Sequence, residues 1–428
     1  MSNTLADWLF RINSTHHKEI DLGLDRVLQV VKDMSLRPDC PVITVGGTNG
    51  KGSTCAMLES IYSAAGYRVG LFSSPHLIRF NERIRVVNKE VSDSTIVSSL
   101  EEVDSACGDV SLTYFEYSFL AALNIFLQQQ VDLIILEVGL GGRLDAANVL
   151  DPSCAIVTNI GLDHLEYLGE TREEIGFEKA AIFRGNGAHS ICGDEEPPES
   201  IFNAISNIKG DLQLIARDFG FVREPGGWTF WSTNGLRMNL AFPLMQGDHQ
   251  LVNASLAIEA VTLLKRKLPI DAASIRDGLL SAERMGRFQV LPTRPLFVLD
   301  VAHNVDSVAR LVDELNRTHF SGKTRVIFAT MADKQYHEMI DLLNSVVDQL
   351  FVCGLEDARS ADPDAVAKKA SGRIGINKVT SCESVGYAID KLLEISGSDD
   401  RIIVCGSFVT VAVALKHPYV SSLVHNEI

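Results

Sequence analysis

The chain has 428 residues, 46% hydrophobic and 22% charged; this balance excludes extended disorder, and the length favours two domains. A formal charge of −16 argues against a general nucleic-acid binder, so an anionic ligand would need Lys, Arg or metal supplied locally. Apolar runs such as VDLIILEVGLGG are too short to span a bilayer, and MSNTLADWLFRINSTHHKEIDLG carries an early acid and no unbroken apolar core. No membrane segment or signal peptide is therefore expected, and a cytoplasmic location is. The eight cysteines form no CxxC pair and read as small buried thiols.

In chain order, PVITVGG (41–47) reads as a strand. KGSTCAMLESIYSAAG reads as an amphipathic helix, with Leu58, Ile61, Tyr62 and Ala65 on one face and Gly66 as its stop. RVGLFSS (68–74) is a second strand, TYFEYSFLAALNIFLQQQ a helix, and VDLIILEVG and CAIVTNIG two more strands. TREEIGFEKAAIF is a helix opened by a Thr171–Glu174 capping box. Alternating residues around Asn234-Gly235 then signal an antiparallel hairpin. Two helical segments follow, and after them ERMGRFQVLPTRP, aperiodic with two prolines, reads as an inter-domain linker. Alternation restarts with LFVLDVA, RVIFATM, LFVCGL and RIIVCGS as strands. The predicted fold class is α/β. A P-loop-containing N-terminal domain (1–288) has a mainly parallel sheet and a small antiparallel insertion. A smaller, doubly wound Rossmann-like domain (289–428) follows.

Chemistry concentrates first in VITVGGTNGKGST. The usual phosphate loop runs Gly, four residues, Gly-Lys-Ser/Thr; here Val45 replaces the first Gly and Gly52 separates Lys51 from Ser53. The context is right: a buried strand before it and a helix after it. Backbone N–H groups from Gly47, Thr48, Asn49, Gly50, Lys51, Gly52, Ser53 and Thr54 can surround phosphate oxygens at a helix start, and Lys51 can reach the outer phosphates. The plainer alternative, a glycine-rich turn with a surface Lys, is disfavoured because motif and context agree. Lys179 shares a helical stripe with Ile175, Ile182 and Phe183. Buried, it would have a lowered pKa and a nucleophilic amine; by spacing alone, a Lys with its head in water is the commoner arrangement. GLGGR (139–143) fails as a dinucleotide fingerprint, because its third Gly would fall at Leu144. Ser74 and Glu137 close their strands at the edge where open α/β sheets bind ligands. Alone, they read equally as a cap and a surface acid, and His164 as a loop residue.

The ordered set DLGLDRV, GTNGKGST, GLFSSPHL, SLTYFEY, ILEVGLGGRLDAAN, LDH, FEKA, GRFQ, DVAHN and VCGSFVT resembles the dihydrofolate synthase/folylpolyglutamate synthase family, the folate branch of the Mur ligase superfamily, over nearly the whole length. The resemblance implies a monomeric ligase that uses ATP and Mg2+, with room for a monovalent cation. It would add L-glutamate to dihydropteroate and to reduced folates through an acyl phosphate. It implies that Ser74, Glu137 and His164 hold metal, that Lys179 is carbamylated, and that Lys51, Lys179, His164 and Arg287 serve catalysis. Asn253, Arg287 and Asp300 would hold ATP, and His303 and Ser407 the incoming glutamate. Asp21, Leu22 and Gly23, with Thr113, Tyr114, Phe115 and Glu116 and with Leu144 of the glycine segment, would line the acceptor site. Core packing explains Tyr114 and Phe115 equally well on sequence alone, and helix capping explains His303. A single-function folylpolyglutamate synthase is the nearest alternative. A P-loop small-molecule kinase and a nucleotide-switched binding protein come from other classes.

Overall fold

A computed structural model describes residues 4–318 and 320–425. The chain divides into two compact units, Met1–Leu244 with Asp248–Glu283, and Met245–Gly247 with Arg284–Ile428.

The first unit is built on an eight-stranded sheet in the order Lys89–Glu90, Ile84–Val86, Val69–Phe72, Leu133–Glu137, Val42–Gly46, Cys154–Val157, His189–Cys192, Leu212–Leu214. Val42–Gly46 pairs in parallel with Leu133–Glu137 on one side and Cys154–Val157 on the other. Every residue of these three strands is buried. That is why they read as continuous apolar runs: helices cover both faces of a parallel sheet. Only the two short strands at one edge run antiparallel to their neighbours.

The helix Lys51–Ala64 was expected to bury one face, yet Gly52 through Tyr62 are all buried. The sheet lies on one side of it, and Asp248–Leu264 and Ala272–Ser281 pack on the others. The helix around Lys179 is shorter than its pattern, Arg172–Ala180. Ile182 and Phe183 follow it in turns onto Lys179 O and Ala180 O, while Arg184 bonds Ala181 O and Phe183 O and closes the helix end.

The antiparallel insertion has three strands, Phe219–Glu224, Gly227–Ser232 and Arg237–Leu240. Its Asn234-Gly235 turn is anchored from within the unit: Asn234 Nδ2 donates to Glu259 Oε1 at 2.8 Å. The second unit is a six-stranded sheet in the order Gln289–Leu291, Leu296–Leu299, Arg401–Cys405, Thr324–Phe328, Gln349–Cys353, Val379–Cys382. Gln289–Leu291, expected within a linker, is an antiparallel edge strand against Leu296–Leu299. Three residues are too few to display a period, so pairing across the sheet decided what the local pattern could not.

Candidate functional site

The phosphate loop leaves the sheet at Gly46 and enters the helix at Lys51. Gly47 and Gly50 both have positive φ, 134° and 90°, and neither has room for a side chain. A Cβ on Gly47 would lie 1.9 Å from Thr158 Oγ1, and one on Gly50 would lie 2.5 Å from Asn253 Oδ1. The loop is pinned from the next strand end. Thr48 N donates to Asn159 O at 2.9 Å, Asn49 N to Asn159 Oδ1 at 2.8 Å, and Thr158 Oγ1 to Asn49 O at 2.6 Å. Lys51 Nζ folds back onto Gly47 O at 2.9 Å and Thr48 O at 3.1 Å. The helix start has no side-chain cap, which leaves first-turn N–H groups such as those of Gly52 and Ser53 without an intrahelical acceptor. The buried Thr54 hydroxyl also lacks a hydrogen-bond partner among the described residues. Orphan donors around a fixed, glycine-lined concavity fit a phosphate chain.

Asn253, expected to contact ATP, is buried against this loop and donates from Nδ2 to Gln250 Oε1 at 2.9 Å. Ser74 and Glu137 also come together. Glu137 ends its strand with its side chain buried, and Ser74 N donates to Glu137 Oε2 at 3.1 Å. His164 caps the short Leu165–Leu168 helix at φ 53° and is exposed. Its loop is tied to the phosphate loop, since Gly161 N donates to Thr48 Oγ1 at 3.0 Å. Among the described residues, no cluster of three His, Cys, Asp or Glu gathers as a metal cage. Two oxygen-bearing side chains beside a phosphate loop still fit a magnesium ion, which keeps several waters and takes phosphate oxygens as ligands.

Lys179 is buried, 4% exposed, with Nζ donating to Gly47 O at 3.1 Å. Burial first, then the charge of Lys51, pulls its pKa down to about 7, against the opposing carboxylates of Asp163 and Asp145. Asp145 lies within RLDAAN, yet sequence reasoning assigned it no role. It organises the glycine segment. Its Oδ2 accepts from Gly139 N and Leu140 N at 3.0 and 2.9 Å, and Oδ1 accepts from Ala147 N at 2.9 Å. Burial pushes its carboxyl up to about 6, opposed by those three donors and by Lys51. An Asp directly before a short helical turn is the available signal, and it reads as an ordinary cap. Leu144 beside it is half-buried.

The residues expected to line the acceptor site come together across some ninety positions of chain. Thr113 caps the Tyr114–Gln128 helix in a capping box with Glu116, whose Oε2 accepts from Thr113 N at 2.7 Å. Arg26 bridges the two segments: Nη1 reaches Asp21 Oδ2 at 2.7 Å and Nη2 reaches Glu116 Oε1 at 3.0 Å. The motif DLGLDRV contains Arg26, but sequence reasoning did not single it out. Burial opposes ionisation of Asp21, yet Arg26, His16 and Lys18 together hold it below the usual carboxylate range. Leu22 and Gly23 are half-buried beside it. Phe115 stacks toward Phe72 at 5.6 Å between ring centroids and lies against Gly139. Tyr114 meets Phe80 edge-on, with the Arg83 guanidinium 5.4 Å from its ring.

In the second unit, Asp300, His303 and Ser407 sit where Leu296–Leu299 and Arg401–Cys405 end. Asp300 accepts from Phe288 N and Ala302 N, both at 2.8 Å. Burial pushes its carboxyl up, opposed chiefly by Arg287. Arg287 lies over the Phe408 ring at 5.1 Å, and the His303 ring lies 5.5 Å from the same ring. Phe408, absent from the sequence-derived set, is thus the platform that gathers Arg287 and His303. The Ser407 hydroxyl accepts from Thr410 N at 3.0 Å and caps the Phe408–Lys416 helix.

The Mur ligase middle domain matches residues 45–261, and the Mur ligase glutamate ligase domain matches 286–408. The dihydrofolate synthase/folylpolyglutamate synthase of Escherichia coli (strain K12) is 40% identical over 416 residues, covering 97% of this chain and 96% of that protein. The structure of E. coli FolC in complex with DHPP and ADP superposes with a TM-score of 0.91 at 38% identity, covering 99% of this chain and 98% of that one. A bifunctional folylpolyglutamate synthase/dihydrofolate synthase with Mn, AMPPNP and L-glutamate bound superposes at 0.88 and 37% identity, covering 96% and 97%.

Proposed function

Because this chain belongs to the dihydrofolate synthase/folylpolyglutamate synthase family of Mur ligases, we propose that it joins L-glutamate to dihydropteroate, giving dihydrofolate, and to reduced folates, giving folylpolyglutamates. It is an ATP-dependent acid–amino-acid ligase. A carboxylate oxygen is a poor leaving group, so the acid must first be activated. The γ-phosphoryl group of ATP passes to the acceptor carboxylate, forming an acyl phosphate and ADP. The neutral amine of glutamate then adds to the acyl carbon through a tetrahedral intermediate, one N–H proton leaves nitrogen, and inorganic phosphate departs with the C–O electron pair. The protein's share is positioning and charge neutralisation.

The observation that carries this reading is the uncapped helix start behind Gly47–Gly50, with Lys51 folded against the loop and Glu137 buried at the adjacent strand end. The N–H groups hold the phosphates, and Lys51 swings from its carbonyl partners to the outer phosphate. Ser74 and Glu137 would hold magnesium, with His164 completing the set; the ion supplies charge neutralisation across the phosphates. The depressed pKa of Lys179 leaves much of its amine neutral at physiological pH, the form that takes up CO2. We therefore read Lys179 as carbamylated in the working enzyme: the neutral amine forms an N–C bond to CO2, one N–H proton is released to solvent, and the side chain becomes an anionic oxygen donor. Asn253, Arg287 and Asp300 contribute to ATP binding, and His303 and Ser407 to glutamate. The acceptor lies on Phe115 and Tyr114 beside Asp21, Thr113 and Glu116. We read the enzyme as a cytoplasmic monomer.

Purified protein with ATP, magnesium and glutamate, given dihydropteroate or a reduced folate, tests the reading by phosphate release and product mass. One added glutamyl residue is expected with each acceptor. A stable phosphorylated acid would point to a kinase, and turnover with reduced folates alone would leave a single-function synthase.

A further inference from the structure

Arg26 stands out among the charged groups around the acceptor segments because it serves both at once. Toward the 20–24 segment, its Nη1 bonds Asp21 Oδ2 at 2.7 Å and its Nη2 bonds the Asp21 carbonyl. Toward the helix Tyr114–Gln128, its Nε bonds Glu116 Oε1 and Oε2 at 3.2 and 3.3 Å. Glu116 is itself buried, 4% exposed, and closes the capping box that sets Thr113 and the first helical turn. Both carboxylates therefore face one guanidinium. Removing it takes away the cation the two carboxylates share and leaves the buried Glu116 without its Arg partner. His16 at 3.2 Å and Lys18 at 3.5 Å also hold Asp21. Neither is seen to bond Glu116 among the described residues, so they secure Asp21 without tying it to the helix.

We propose that Arg26 is the positioning residue of the acceptor site. Its guanidinium fastens the 20–24 segment to the start of the Tyr114–Gln128 helix. It thereby fixes the spacing between Asp21 and the Tyr114–Phe115 pair that receives a pterin-linked acid. This rests on the acceptor reading given under Proposed function. The demand is geometric as well as ionic. A planar fork with five donors can bond two carboxylates and a carbonyl together, whereas an ammonium on a flexible stem cannot span them in fixed geometry. Arg26 bonds protein groups, Asp21 and Glu116, and not a reacting atom, so its removal acts on acceptor affinity rather than on the phosphoryl-transfer step.

Steady-state kinetics of Arg26→Lys test this, with the acceptor, ATP and glutamate varied in turn. The KM for dihydropteroate is expected to rise about 10-fold, as for a lost charge-assisted hydrogen bond. At saturating acceptor, kcat and the KM for ATP are expected to stay within about twofold, as for lost uniform binding. A purely structural role would instead lower kcat and raise all three KM values together with a fall in melting temperature, and that result overturns the proposal. So does an unchanged acceptor KM. Should Arg26→Lys fold poorly, Arg26→Gln takes its place. Gln is neutral and lacks the guanidinium fork, while Glu116 and its capping box stay as they are, and the same selective rise in acceptor KM is expected. Wild-type protein that ligates reduced folates but not dihydropteroate would sink the bifunctional reading alone. The Arg26 proposal is then decided by the KM for tetrahydrofolate in the same variants.

Discussion

Two strand-to-helix turns, one in each unit, begin alike and end differently. In the first, the chain leaves Val42–Gly46 through Gly47 and enters Lys51–Ala64; in the second, it leaves Arg401–Cys405 through Gly406 and enters Phe408–Lys416. Gly47 and Gly406 both have positive φ, 134° and 111°. The divergence is at the cap. Gly50 has no side chain to bond the helix N–H groups, while Ser407 accepts from Thr410 N and its hydroxyl lies 2.6 Å from Thr410 Oγ1. The first helix therefore has no side-chain acceptor at its start, while the second has one of its first-turn N–H groups, that of Thr410, satisfied by its own cap. One turn leaves helix N–H groups open at a glycine-lined concavity, as the proposed phosphate site requires. The other positions side chains, Phe408 above all, on which Arg287 and His303 converge.

The sharpest way to break this contrast is Lys51→Ala. It is expected to lower kcat/KM for ATP by roughly 10²- to 10³-fold, as when one preorganised donor to developing charge is lost. Its melting temperature is expected to stay near that of the wild type, because Lys51 Nζ bonds loop carbonyls that can turn to water. Normal turnover by this variant would remove the phosphate assignment.

The next effect is on stability and depends on pH. The folded Lys179 amine binds its proton less tightly than the unfolded one, with its pKa brought from 10.5 to about 7. The native state therefore carries a penalty that is full below pH 7 and fades as pH rises toward the unfolded value. In CO2-free buffer, Lys179→Met is expected to gain on the wild type by on the order of a few kcal/mol at pH 6. The gap should narrow steadily toward pH 10. Denaturant melts across that range check it, and a gap that widens with pH would refute the buried-cation reading.

Gly50→Ser gives the first turn the chemistry of the second. The Cβ meets Asn253 Oδ1 at a positive φ, so a stability loss of roughly 1–3 kcal/mol is expected for a strained non-glycine. ATP affinity should fall in calorimetry as well, because the new hydroxyl competes for the helix donors. The smallest effect is that of Ser407→Ala, about 1 kcal/mol for a lost N-cap, read from denaturant midpoints. ATP binding is expected to be unchanged and the KM for glutamate to rise.

The contrast between these turns also marks how much of the molecule could be read in advance. The strands around the phosphate loop were legible because each is buried on both faces, so its residues are apolar without interruption. The loop was legible because its glycines and Lys51 are contiguous. Asn234-Gly235 announced its hairpin for the same local reason. The length of the helix at Lys179 was less legible: Ile182 and Phe183 continue the apolar spacing, but they do so from turns beyond Ala180.

What the amino-acid order determined alone was therefore whatever neighbours in the chain can encode: period, cap and turn. Only the tertiary structure decided that Gln289–Leu291 is a strand, that Lys51–Ala64 is buried on every side, and that Asp145 holds the glycine segment by three backbone donors. The same holds for Arg26 between Asp21 and Glu116 and for Phe408 beneath Arg287 and His303. A side chain's partner is chosen by what folding brings within a few ångströms. Charge and burial have no meaning for Arg26 or Asp145 until chain segments far apart in the sequence meet around them.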